Sequence, residues 1–150
     1  MQDYRSFLSE VVVSEAQLAD RIHELAAQIN ADYAGQEILL VCILRGGVLF
    51  LADLIRHLTV PTQLDFMAVS SYGIGARQST GQARITLDIN TDIAGRNVLL
   101  VEDIVDSGYT MDAVIKLLGT RKPNSLRICV LLDKAERREV DVPIDYCGFV

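Results

Sequence analysis

Seven consecutive apolar residues, Ile38 to Leu44, constrain this chain more than any other feature in it. The run is too short to cross a membrane, which takes about 20 residues. It is too uniformly apolar for a surface helix, whose hydrophobic positions recur every three or four residues. What remains is a strand buried on both faces, the kind found in parallel sheets with helices on either side. Asn97 to Val101, apolar from Val98 on, reads as another such strand, Gln63 to Val69 and Leu126 to Leu132 as further strands, and Ile144 to Val150 as a fifth.

Helical spacing fills the gaps. Leu18, Ile22, Leu25 and Ile29 fall within an arc of about 60° at 100° per residue. Ser14 with Gln17 three residues later fits a capping box, and Gly35 is placed to end that helix. Val48 to Leu58 and Met111 to Leu118 read as two more helices, the second ended by Gly119. The order is strand, helix, strand, a long polar stretch, strand, helix, strand. Such alternation predicts an α/β fold, a doubly wound, mainly parallel sheet flanked by helices. A length of 150 residues without a linker or repeat predicts a single domain over 1–150. In such sheets ligands sit beyond the carboxyl ends of the strands.

Composition narrows the chemistry. Fourteen Lys and Arg against twenty Asp and Glu leave a net charge of −6. That balance argues against nucleic acid as a partner, since phosphate attachment uses clustered Lys and Arg. Cys42 and Cys129 lie in apolar runs, and no CxxC or His-Cys cluster occurs. Nothing at the N-terminus reads as a signal peptide or a membrane span. The expected setting is a reduced, cytoplasmic one, away from membranes.

One block carries the chemical signal. The strand Val98 to Val101 runs straight into Glu102 and Asp103, then Ile104, Val105, Asp106, Ser107, Gly108, Tyr109 and Thr110, and then a helix. A helix N-terminus with hydroxyls and a flexible glycine is a ready anion site. Carboxylates just before it accept hydrogen bonds from sugar hydroxyls or face a bound Mg²⁺. Both functions fit one loop that holds a ribose 5-phosphate. A plainer alternative is that Asp106 and Ser107 only cap the helix. Leu44-Arg45-Gly46-Gly47, at the end of the first buried strand, suits close backbone approach to a ligand, or a simple turn into a helix. Ser70 to Gly81 is polar and glycine-containing, as a disordered stretch or a lid would be.

The block closely resembles the phosphoribosyl-pyrophosphate signature of the type I phosphoribosyltransferases, in the form of their hypoxanthine-guanine branch. Leu44-Arg45-Gly46-Gly47, Ser70-Ser71-Tyr72-Gly73 and Leu132-Asp133-Lys134 match that family in order and approximate spacing, so the resemblance covers essentially the whole chain. It implies the type I fold and transfer of a phosphoribosyl group from 5-phosphoribosyl 1-pyrophosphate to N9 of a 6-oxopurine. Asp106 would be the general base at the purine N7. Glu102 and Asp103 would hold the ribose hydroxyls, with Mg²⁺ close by as cofactor. Ser107, Gly108, Tyr109 and Thr110 would bind the 5′-phosphate. Arg45 and Gly46 would receive pyrophosphate, after a cis peptide, with Arg138 reaching the same charge. Ser71 and Tyr72 would form the lid. Lys134 would read the purine O6, because an ammonium offers donors only and rejects the amino group of adenine.

Family members commonly form dimers or tetramers, so a homo-oligomer is expected. They also continue past the position matching Val150, in a segment carrying a purine-stacking aromatic, contacts to the base edge and an Asp near the second metal. Relative to them the chain is C-terminally short, and those groups have no counterpart among the 150 residues. Two alternatives follow. One is a non-catalytic nucleotide-binding or regulatory module that keeps the phosphate loop. The other is an RNA-binding regulator of the same fold, which the acidic charge disfavours. A dinucleotide-dependent dehydrogenase lacks its G-x-G-x-x-G here.

Overall fold

The computed structural model describes residues 7–71 and 83–150. Nine main elements follow in chain order: α1 (Glu15–Asp32), β1 (Ile38–Leu44), α2 (Gly47–Ile55), β2 (Thr62–Ser71), β3 (Ala83–Leu87), β4 (Asn97–Val105), α3 (Tyr109–Gly119), β5 (Ser125–Asp133) and β6 (Tyr146–Phe149). A single 3₁₀ turn, Ala135–Arg137, lies between β5 and β6. The sheet has six strands in the order β3-β2-β1-β4-β5-β6. β1, β2, β4, β5 and β6 run parallel, and β3 pairs antiparallel with β2 at the edge.

The uniform apolarity of β1 has a direct cause. Its side chains alternate between two cores, one on each face of the sheet. Ile38, Leu40 and Cys42 pack with α1 and α2, against Leu25, Ile29, Phe50 and Leu54. Leu39, Val41 and Ile43 pack with α3, against Met111, Val114 and Leu118. β4 divides the same way, Leu99 and Val101 to one core and Val98 and Leu100 to the other. Helices on both faces leave no wet side, so β1 and the Val98 to Val101 part of β4 carry no polar residue.

The elements differ from the sequence expectation in several places. There are six strands, not five: β3 (Ala83-Arg84-Ile85-Thr86-Leu87) lies in what read as a polar stretch, since an edge strand needs only half its side chains inward. β4 runs to Val105 instead of Val101, because Glu102 to Val105 keep their pairing with β5. α2 stops at Ile55, three residues before Leu58. β6 is confined to Tyr146–Phe149. Gly119 is the last residue of α3, and the left-handed residue beyond it is Lys122, φ +57°.

Candidate active site

β1 and β4 are neighbours in the middle of the sheet, and both end on helix-bearing turns. Their carboxyl ends open a cleft of about 270 Å³. Leu44 and Gly46 line it from the β1–α2 turn, Val69 from β2, and Glu102 through Gly108 with Thr110 and Met111 from β4 and α3.

The two acids are part of β4 itself. Glu102 accepts the Asp103 N–H at 3.0 Å, and Asp103 accepts the Ile104 N–H at 2.8 Å. Among the described residues neither forms an ion pair. Burial, then the hydrogen bond and charge of Asp103, push Glu102 up to about 8, outweighing the N–H that it accepts. The same acids, after burial, push the neighbouring Cys42 thiol up to about 11. Cys42 is therefore a packed hydrophobe and not a nucleophile.

The paired glycines fit against these acids. A Cβ on Gly46 would lie 2.8 Å from both Cγ and Oδ1 of Asp103. One on Gly47 would lie 3.2 Å from Cys42 Sγ and 3.4 Å from Glu102 Oε1. Bare backbone is what lets the β1–α2 turn close over both carboxylates. The Leu44–Arg45 peptide in that turn is cis, as the resemblance implied.

Beyond Val105 the chain turns through Asp106, Ser107 and Gly108 into α3. Gly108 is the N-cap, left-handed at φ +96°, and no side chain caps the helix. A Cβ there would be driven into the Val140 carbonyl and would sit 3.0 Å from Arg138 Cδ, so only glycine fits. The Asp106 carboxylate lies 3.6 Å from the Arg137 guanidinium, with both side chains half-exposed or more.

Glu102, Asp103, Asp106, Ser107, Gly108, Thr110 and Gly46 thus share one cleft. Four other expected site residues stand outside its lining. Arg45 follows Leu44 without lining it. Tyr109 turns its hydroxyl to Glu139, donating at 3.1 Å. Lys134 is exposed beyond β5, with its N–H on the Val105 carbonyl at 2.9 Å, which ties it to the end of β4. Arg138 reaches the Asp133 carboxylate and the Asp106 carbonyl. Of the lid residues, Ser71 ends β2 and Tyr72 lies outside the described residues. Sequence reasoning missed the apolar wall, Ile43, Val69, Ile104 and Met111. Its signal was position: each lies near a strand's carboxyl end or in the first turn of α3.

This geometry accompanies broad similarity to known proteins. The phosphoribosyl transferase domain model matches residues 12–149. The hypoxanthine phosphoribosyltransferase of Salmonella typhimurium is 50% identical over 142 residues, 93% of this chain and 79% of that protein. The chain belongs to the hypoxanthine-guanine phosphoribosyltransferase family. Within this family the hypoxanthine-guanine phosphoribosyltransferase of Mycobacterium avium is 44% identical, over 97% of this chain and 74% of its own. The crystal structure of a hypoxanthine phosphoribosyltransferase from Staphylococcus aureus superposes with a TM-score of 0.92 at 39% identity, covering 99% of this chain and 81% of that one. The phosphoribosyltransferase fold expected from sequence is therefore present, with its acids and its helix-capping turn in one cleft.

Proposed function

We propose that this chain transfers the phosphoribosyl group of 5-phosphoribosyl 1-pyrophosphate to N9 of hypoxanthine or guanine, giving IMP or GMP and pyrophosphate. The observation that carries the reading is the single cleft that joins two acids, a third carboxylate and an uncapped helix start at the sheet's carboxyl edge. Opposite demands meet there: acids for sugar hydroxyls and N–H donors for a phosphate.

In this reading Ser107, Gly108, Tyr109 and Thr110 hold the 5′-phosphate, largely through backbone N–H groups. Glu102 and Asp103 hold the ribose hydroxyls. Asp106 takes the proton from the purine N7 as bonding develops at N9. Arg45 and Gly46 receive pyrophosphate, Lys134 reads the purine O6, and Ser71 and Tyr72 close over the reaction to exclude water. Two adjacent carboxylates are hard donors, and among the described residues no three His, Cys, Asp or Glu converge to form a cage. That suits Mg²⁺, which keeps water and substrate oxygens in its shell. When bound, it neutralises charge on the pyrophosphate leaving group.

The proposed setting is one domain, 1–150, in a cytoplasmic homo-oligomer, a dimer or tetramer, with no nucleic-acid or membrane partner. Three free cysteines and the apolar Val48 and Leu49 exposed on α2 support it. No helix of the described residues is long and apolar enough to cross a membrane.

Asp106→Asn tests the reading. It keeps the shape of the turn and removes the base, so kcat with hypoxanthine should fall by about 10²–10⁴ while IMP binding persists. Turnover near the wild-type rate would remove Asp106 from the chemistry. Efficient use of adenine would contradict the role given to Lys134.

A further inference from the structure

The turn from β4 into α3 is three residues long, contains a left-handed glycine and lacks a side-chain cap. Its peptide planes are fixed from outside, by residues that follow β5. Arg138 Nε donates to the Asp106 carbonyl at 3.2 Å. The N–H groups of Glu139 and Val140 both donate to the Ser107 carbonyl, at 2.9 and 3.0 Å. The far end of the Arg138 guanidinium is held by Asp133, and these two side chains are only 15% and 16% exposed.

A trans peptide points its C=O and N–H in opposite directions. Turning the Asp106 and Ser107 carbonyls toward 138–140 therefore turns the Ser107 and Gly108 N–H groups the other way. That way is the cleft, which Ser107 and Gly108 line and 138–140 do not. Among the described residues neither N–H meets an acceptor. Two successive N–H groups on one side form an anion-binding concavity.

We propose that Arg138 is a positioning residue. Its guanidinium, anchored by Asp133, acts through the Asp106 carbonyl to aim the Ser107 and Gly108 N–H groups at the 5′-phosphate. This rests on the phosphate reading of the turn, and it moves Arg138 from the pyrophosphate role to a place behind the loop. Arginine suits the task because its planar fork reaches a carbonyl and a carboxylate in two fixed directions at once. A lysine offers a single nitrogen on a flexible stem, without that fixed fork.

The test compares IMP with inosine, which differ only in the 5′-phosphate, by calorimetry on the wild type, Arg138→Lys, Arg138→Met and Asp133→Asn. The expected result is an IMP Kd raised about tenfold in all three variants, from loss of a charge-assisted hydrogen bond. Inosine binding should not change, nor should the KM for pyrophosphate in the reverse reaction. IMP affinity retained in Arg138→Lys, or unchanged in Asp133→Asn, overturns the proposal. So does a rise confined to the pyrophosphate KM, which would restore Arg138 as a pyrophosphate ligand. A variant that lowers Tm but keeps the IMP-to-inosine ratio also overturns it, because the role would then be structural only. A wild type that binds inosine as tightly as IMP overturns the phosphate reading itself, and the Arg138 role with it. That outcome is visible without any variant.

Discussion

Helices α1 and α3 begin in opposite ways. α1 starts on Ser14, whose hydroxyl accepts the Gln17 N–H at 3.2 Å while the Gln17 side chain accepts the Ser14 N–H at 2.8 Å. α3 starts on Gly108, with no side chain to cap it. Both ends carry the positive pole of a helix dipole. Only at α3 are the N–H donors left for something outside the chain. The contrast extends to the acids. Burial alone would raise Asp65 on β2, but the Thr91 hydroxyl and the N–H groups of Phe66, Thr91 and Asn90 hold it below its usual range. Glu102, with one N–H, stays up near 8. Asp65 is satisfied by its own chain, whereas Glu102 in the cleft is left short.

Gly108→Ala should break this contrast most severely. The added methyl meets the Val140 carbonyl, and φ +96° is a conformation that side chains rarely adopt. The turn must rotate, which swings the Ser107 and Gly108 N–H groups away from the cleft. The IMP Kd should rise at least about 100-fold, and unfolding in denaturant should show a loss of about 1–3 kcal/mol. An alanine variant with normal IMP affinity would show that the left-handed cap does not serve the ligand.

Glu102→Gln comes next. Removing the acid should raise the KM for 5-phosphoribosyl 1-pyrophosphate about tenfold, as expected for one lost hydrogen bond. Stability should move the other way. Folding favours the neutral form of Glu102, so its contribution is full below the ordinary value of 4.5 and is lost as pH rises through about 8. In chelator, the variant should gain on the wild type by roughly 2 kcal/mol between about pH 5 and about pH 9. Equal slopes in the two unfolding series would place Glu102 in contact with water.

The cleft was legible in sequence where its parts are contiguous. Glu102 to Thr110 is one unbroken stretch, so an apolar strand meeting acids and a Ser-Gly turn could be read directly. The buried strands were legible because helices on both faces exclude polar residues from them. β3 was not, since at the sheet's edge Arg84 and Thr86 are exposed and the alternation lasts only five residues. Nor was the support of the turn. Arg138 meets Asp106 across 32 positions and through a backbone carbonyl, which leaves no trace in residue type. The resemblance implied a pyrophosphate role for Arg138 and gave no sign of its ion pair with Asp133.

Ser14→Ala makes the smallest change and isolates the other half of the comparison. It removes the acceptor for the Gln17 N–H and releases the Gln17 side chain, leaving α1 with an unsatisfied start like that of α3. That should cost about 1 kcal/mol and lower Tm by about 3 °C for a domain of this size. No ligand site should result, because α1 has Glu15 in its first turn and no glycine turn beside it. Inorganic phosphate should therefore raise Tm equally in Ser14→Ala and wild type, through the turn before α3, and IMP affinity should be unchanged. An extra phosphate-dependent rise in the variant would mean that any uncapped helix start in this fold takes an anion. The arrangement at Gly108, with its N–H groups aimed by residues behind the turn, predicts that none appears.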